Sequence, residues 1–432
     1  MKSIFIKSGL LLIALICNIN SNGQTSWTKH VDNPVLTKGP DNFDIIAIGQ
    51  PTTLFDNDTI KMWYGGVAAD MKARICYAYS LDGINWTKHN SPVLEIGNSG
   101  EWDRGWLDTP EIVKDNTGYK MYYYGDTVQQ FSAISSAIGV AYSTDGINWT
   151  KDINNPIFTK GNVGDWDGSW IESPAILFDT LTGEYKMWYN GVDTATWKIN
   201  IGLATSTDGV SWTKYINNPV IQTGNWGAYD DMWLGTPTVC KTDNYYELWY
   251  SATSTNSYNY TTASFDTVSI CYATSIDGIN WDKHTDNPLF HTFTAPYDSL
   301  VDRGGPWAPS VIFNPNTNNY MMWFEANGAN SDFSISFATA PKSTSNISEN
   351  YDKNSDVIVY PNPFNSSATI YMKDNVNNAS LKIFNSLGQT VYSQLNIDKQ
   401  KIKIERNTLP RGVYFYNILN NNKIVNGRLI ID

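Results

Sequence analysis

The chain has 432 residues, with 42 acidic against 30 basic side chains and a net charge of −12. That balance excludes a nucleic-acid binder resting on a basic footprint. Aromatic residues make up 14%, charged residues only 17%, and 31 Gly with 18 Pro punctuate the chain. Such a composition excludes a helical bundle or a disordered protein and favours a turn-rich β fold.

In chain order, Lys2 and Lys7 flank the start of an apolar run over residues 9–17, and Ser21-Asn22-Gly23 follows. A short positive segment, a brief apolar core and small residues before Gln24 predict a secretory signal peptide over residues 1–23. The run is too short to cross a bilayer, which takes about 20 apolar residues, so no transmembrane segment is expected in the mature chain. Three cysteines remain after it, Cys76, Cys240 and Cys271. Cys76 and Cys271 recur in ICYAYS and ICYATS and are read as small core residues.

A repeat then fills residues 24–341. Trp27, Trp86, Trp149, Trp212 and Trp281 open its copies, each followed by a first proline (Pro34, Pro92, Pro156, Pro219, Pro288). An acidic, aromatic loop leads to a second proline: Pro51, Pro110, Pro174, Pro237 and Pro309. Next come strands such as Met62-Trp63-Tyr64 and Met187-Trp188-Tyr189, then Ile138-Gly139-Val140-Ala141-Tyr142, and an Asp-Gly turn. Short aromatic and β-branched runs between Asp-Gly and Asn-Pro pairs are strand and turn signals. Four strands per unit and five units predict an all-β, five-bladed β-propeller. The Ser-x-Asp-Gly-x-x-Trp turns, Ser80 to Trp86 and its counterparts, resemble the sialidase Asp-box but are one residue shorter, and are read as structural.

A polar linker is expected at 342–355. Residues 356–432 lack Trp and carry nine basic against five acidic side chains. They contain Tyr360-Pro361-Asn362-Pro363-Phe364, Ile383-Phe384-Asn385-Ser386-Leu387-Gly388-Gln389 and Leu409-Pro410-Arg411-Gly412-Val413-Tyr414. In these blocks the segment resembles the C-terminal sorting domain of the type IX secretion system. The resemblance implies a small Ig-like β-sandwich, the secretion machinery as a partner, and a protein secreted or attached at the outer-membrane surface.

Function can hide where the five copies diverge. Seven residues before the second proline every copy has Asp (Asp44, Asp103, Asp167, Asp230, Asp302), which favours a structural role. Two residues before it the copies read Gly49, Asp108, Glu172, Gly235 and Trp307. Two carboxylates, open space and an aromatic platform are what glycoside hydrolysis uses, with one acid protonated and the other ionised. The bland alternative is that Asp108 and Glu172 bind sugar hydroxyls without chemistry.

The D-G-I-N-W, N-P-V and M-W-Y elements and Glu172-Ser173-Pro174 resemble the five-bladed glycosidase propellers of glycoside hydrolase families 43, 32 and 62. The resemblance implies Glu172 as general acid and Asp108 as its modulator. The family's base position is occupied by Gln50 before Pro51, and a glutamine cannot act as a base, so Asp44 or Asp41 is the stand-in. Further candidates for substrate contact are Gln50, Arg104, Arg303, Trp170, Trp233, Trp307 and Glu325. The last stands where the other copies have Gly65, Tyr124, Asn190 and Ser251. Loop tryptophans (Trp102, Trp106, Trp166, Trp226) could stack on sugar rings, and His291 lies outside the repeated His segment. No metal site or cofactor is expected, with room left for a structural Ca2+ or Na+ in the central channel. The expected function is a secreted glycosidase acting on a polysaccharide, one containing arabinose or xylose for instance. The alternative is a non-catalytic carbohydrate-binding propeller, and a sugar phosphorylase ranks last.

Overall fold

The computed structural model describes residues 26–431 apart from 129–134, 181, 194, 197, 243–244, 260–263, 266, 293–303, 329–332, 343–356, 361–363, 365, 373–375, 386–388, 408 and 421–422. The leader at 1–23 and the linker at 342–355, except its first residue, lie outside the described residues. The chain divides into two compact units, Met1–Ser343 and Thr344–Asp432.

The described structure is all-β, interrupted only by the 3-10 turn Thr255–Ser257. In the first unit each sequence repeat forms three long antiparallel strands. The first strands are Ala47–Asp56, Trp106–Asp115, Trp170–Asp179, Trp233–Lys241 and Pro306–Asn314. The middle strands are Thr59–Val67, Gly118–Asp126, Glu184–Asp193, Tyr246–Thr253 and Asn319–Asn327. The last strands are Ala73–Ser80, Ala137–Ser143, Lys198–Ser206, Val268–Ser275 and Phe333–Pro341. A two-residue strand after each Asp-Gly turn adds to the edge, as Thr87–Lys88 does to Ala73–Ser80. The fifth repeat receives that edge strand from the other end of the chain, where Thr28 pairs with Thr339 and Leu36 with Ile335.

The middle strands carry the core, because they are covered on both faces. Trp63, Trp188, Trp249 and Trp323 are fully buried, as are Tyr64, Tyr122 and Tyr189. Their polar edges tie one repeat to the next. Trp63 donates to the Gly146 carbonyl at 2.8 Å, Tyr122 to Gly209 at 2.9 Å and Trp188 to Gly278 at 2.9 Å. Trp323 of the fifth repeat donates to Gly83 of the first at 2.8 Å. The Asp-Gly turn is thus the socket for the neighbour's indole. Gly83 has φ +80, and a Cβ there would sit 2.7 Å from the Trp323 ring, so glycine is required twice over. Asp82 holds the same turn closed through the Ile84 and Asn85 amides, both at 2.8 Å, and these bonds keep its carboxyl well below the usual range. The first strands touch one another in cyclic order, the fifth returning to the first.

The second unit has two sheets enclosing one apolar cluster. One sheet orders Val357–Tyr360, Ser367–Met372 and Lys401–Glu405; the other orders Thr390–Ile397, Ala379–Phe384, Gly412–Asn420 and Lys423–Ile431. Ile370, Leu381, Ile383, Ile404, Ile418 and Leu429 fill the space between them. Their alternation along each strand is the period-2 pattern of a half-buried sheet.

Candidate active site

The site begins with a backbone irregularity written by the second proline. Proline has no N–H to give to the ladder and fixes its own φ. In every repeat, pairing between first and middle strands lapses there: between Gly49 and Thr52, Asp108 and Glu111, Glu172 and Ala175, Gly235 and Thr238, and Trp307 and Ser310. The residue before the proline is left-handed in all five copies: Gln50 at φ 51, Thr109 at 45, Ser173 at 50, Thr236 at 49 and Ala308 at 48. A non-glycine residue there costs roughly 1–2 kcal/mol, and bulges of this kind re-aim side chains beside functional sites.

The re-aimed residues open onto one cavity of about 410 Å³. Gly49, Asp108, Glu172, Gly235 and Trp307 all line it, together with their cross-strand partners Gly65, Asn190 and Glu325. Trp106 and Trp233 stand in its wall with Trp307, and the Trp233 and Trp307 rings lie 6.4 Å apart. Three carboxyl groups from three repeats therefore converge: Asp108, Glu172 and Glu325, 6%, 7% and 8% exposed.

Their surroundings differ. Asp108 accepts from the Thr109 amide at 2.9 Å and the Trp106 indole at 3.3 Å, yet burial raises its pKa to about 6. Glu325 accepts from the Gln50 amide at 3.2 Å. Burial, reinforced by the charge of Asp108, raises its pKa to about 8. Among the described residues no Lys, Arg or His lies within ion-pair distance of Asp108 or Glu325. The Asn190 amide approaches Glu172 Oε1 at 3.5 Å, and its carbonyl oxygen is buried with no protein partner. Buried polar atoms are normally paired, so an unpaired acceptor beside a cavity marks this position as exceptional.

Repeat one supplies space. A Cβ on Gly49 would fall on Glu325 Oε2, and one on Gly65 would fall on Asp108 Oδ1. The two glycines, cross-strand partners, are what allow these two acids to face the same volume.

Several expected residues are elsewhere. Asp44 does not line the cavity: it is fully buried, paired with Lys88 at 2.6 Å and bonded by Tyr64 at 3.1 Å. Asp103–Lys151, Asp167–Lys214 and Asp230–Lys283 repeat the arrangement at 2.6, 2.6 and 2.5 Å. The recurring Asp is a loop anchor, and Asp44 cannot serve as a base at this cavity. Arg104 is also away from it, its guanidinium 3.4 Å from the Glu101 carbonyl. Trp170 is buried behind the wall, against Val192, Ile199 and Trp233. Trp102 stacks on Tyr123 and Trp166 packs on Tyr189. His291 pairs opposite Ser269 and lines a different depression. Arg303 and Asp302 lie outside the described residues. Gln50, Trp233, Trp307 and Glu325 do line the cavity. Sequence reasoning passed over Asn190 and Gly65, although the divergent set Gly65, Tyr124, Asn190, Ser251, Glu325 contained both.

Among the described residues no group of three or more His, Cys, Asp or Glu is positioned for a metal ion, and no helix is long and apolar enough to cross a membrane. Residues 358–432 match the family model described as the secretion system C-terminal sorting domain. That domain supports secretion or attachment at the cell surface. Over 157 residues the chain is 28% identical to an uncharacterised protein of Mycobacterium tuberculosis, covering 35% of this chain and 48% of that protein. It thus spans about half the length of that relative. Over 239 residues it is 25% identical to a 1,2-β-oligomannan phosphorylase of Thermoanaerobacter sp., covering 52% and 72% of the two chains.

Among solved structures, a glycosyl hydrolase from Bacteroides ovatus superposes with a TM-score of 0.58 at 18% identity, over 74% of this chain and 94% of that one. A structure from the family-130 mannoside phosphorylases and glycoside hydrolases gives 0.57 at 18% identity, over 73% and 94%. A thermostable family-43 glycoside hydrolase gives 0.52 at 18% identity, over 70% and 91%. The first unit therefore has the all-β fold of glycoside hydrolases. The likeness extends to family 130, a family not named beside 43, 32 and 62 in the sequence resemblance.

Proposed function

We propose that the protein is a secreted glycoside hydrolase whose first unit is a five-bladed β-propeller. The cyclic packing of first strands and the Trp323–Gly83 bond support the ring. The observation that carries the activity is the convergence of Asp108, Glu172 and Glu325 in one aromatic-walled cavity.

In this reading Glu325, protonated at neutral pH, gives its proton to the glycosidic oxygen as the C1–O bond breaks. Asp108 keeps that proton on Glu325 by its own negative charge. Glu172, from a different repeat, takes a proton from the attacking water, replacing both Gln50 and Asp44 as the base. Asn190 receives a sugar hydroxyl, and Trp307 stacks on a ring face. This assignment moves the acid from Glu172, where the family resemblance put it, to Glu325.

Phosphorolysis is the activity of the Thermoanaerobacter relative. It needs cations around the phosphate, and no Lys, Arg or His is among the described residues lining the cavity. Hydrolysis is the better reading for that reason.

The test uses the full chain on neutral oligosaccharides and on aryl glycosides, with and without inorganic phosphate. Glu325→Gln should lose about 10²–10⁴-fold on oligosaccharides while keeping most activity on aryl glycosides, whose leaving groups need no proton. Glu172→Gln should lose both. The reverse pattern returns the acid to Glu172. Product release only with phosphate would make the protein a phosphorylase, and retention of a polysaccharide without cleavage a binding propeller.

A further inference from the structure

The cavity that houses the three acids has a second face that the chemistry does not use. Ile46, Val67 and Met71 of repeat one present apolar side chains to it, while Phe333 and Asn327 line it from repeat five. Sugar sites are ordinarily studded with hydrogen-bonding groups, because a hydroxyl buried against hydrocarbon loses its water partners. Ile46 and Val67 do not belong to the repeat. Five residues before the second proline, where repeat one has Ile46, the others have Gly105, Ser169, Met232 and Gly304. At the end of the middle strand, Asp126, Thr253 and Asn327 stand where repeat one has Val67, and Val192 alone is apolar there.

Two of them, Ile46 and Met71, are not core residues. Ile46 is 39% exposed and Met71 50% exposed, and Met71 is held at φ 62. The cavity is also anionic in the glycosidase reading: Asp108 and Glu172 line it as carboxylates beside the protonated Glu325, and no cation does among the described residues. A uronate, sulfate or phosphate on the sugar would be repelled.

From these observations, and resting on the glycosidase reading above, the geometry points to a substrate class: a neutral sugar bearing a methyl group where common hexoses carry a hydroxymethyl, that is, a 6-deoxyhexose. The methyl lies against the wall formed by Ile46, Val67 and Met71, where it gains by leaving water. The ring hydroxyls face Asn190 and the carboxyl groups.

The experiment is a binding titration of the full chain, by calorimetry or ligand-observed NMR, with methyl glycosides in matched pairs: fucoside with galactoside, rhamnoside with mannoside. At least one deoxy member should bind about 10- to 100-fold more tightly than its partner, the span a hydrophobic subsite provides. In the Val67→Thr, Met71→Ser double variant, which leaves the carboxyl groups untouched, the preference should fall below about threefold. Equal binding, preference for the hydroxymethyl member, a preference that survives the double variant, or no binding of any pair overturns the inference. Cleavage of the aryl counterparts is scored separately. Deoxy preference without cleavage removes the hydrolytic reading and leaves this one; cleavage without preference does the opposite.

Discussion

Glu325 and Asp108 store a pH dependence that can be read without knowing the substrate. A carboxyl whose pKa is raised on folding, from 4.5 to about 8 for Glu325 and from 3.8 to about 6 for Asp108, is protonated more in the folded than in the unfolded chain. Stability must then fall as pH rises from the unfolded value to the folded one. For Glu325 that window runs from about 4.5 to about 8. Glu325→Gln cannot ionise and should flatten this slope. At pH 8–9 the variant should be more stable than the parent by on the order of 3 kcal/mol, and near pH 4.5 the two should be similar. Denaturant titrations across the window measure it, and parallel curves for parent and variant would refute the raised pKa. The same two groups predict that kcat/KM declines above about pH 8, where the proposed donor loses its proton.

At the scale of the element, the strand pair Ala47–Asp56 and Thr59–Val67 matters for what it lacks. Gly49 and Gly65 vacate the volume into which Glu325 and Asp108 project. Placing a methyl at Gly65 pushes the Asp108 carboxyl aside while leaving strand pairing and the core indoles untouched. Gly65→Ala should therefore lower kcat/KM about 100-fold, the cost of misplacing a catalytic group by about 1 Å, with a far smaller effect on thermal unfolding. Unchanged kinetics would mean that Asp108 has no part in the reaction. The bulge that precedes each second proline belongs to the same scale. It is repeated in five copies, so it is architecture, yet it is also what turns the residue two positions earlier toward the cavity.

For the first unit as a whole, the N-terminal segment completes the sheet of the fifth repeat. Thr28–Lys29 and Leu36–Thr37 supply the edge of the fifth repeat, and Trp27 packs edge-on against Trp249 at 6.4 Å. The Asn33 side chain adds bonds to the Phe337 carbonyl and amide at 2.9 and 2.8 Å. Removing residues 26–38 exposes the last strand, Phe333–Pro341, as an unpaired edge, a template for association. Such a truncation should unfold at lower temperature and sediment as higher oligomers. A truncated chain that stayed monomeric and as stable as the parent would show that these contacts are dispensable.

Much of this was legible in the residues. Fivefold recurrence of Trp, two prolines and an Asp-Gly turn announces a four-stranded repeat, because each of those residue types has a local backbone consequence. The tail was equally legible: its three motif blocks lie within residues 358–432, which match the sorting-domain model. Divergence among copies exposed Asp108, Glu172, Trp307 and Glu325, since a position that escapes the repeat is released from architecture. What the sequence could not decide was which way a side chain turns. Asp44 and Asp108 both precede a second proline, by seven residues and by two, yet one is locked to Lys88 and Tyr64 and the other faces the cavity. Asn190 and Gly65 become site residues only through cross-strand register. The raised pKa values of Asp108 and Glu325 exist only because burial removes water from both and leaves no described cation in its place. Local chemistry along the chain determined the repeat. Side-chain direction, strand register and desolvation are properties of three-dimensional packing, so the fold alone decided which acids meet.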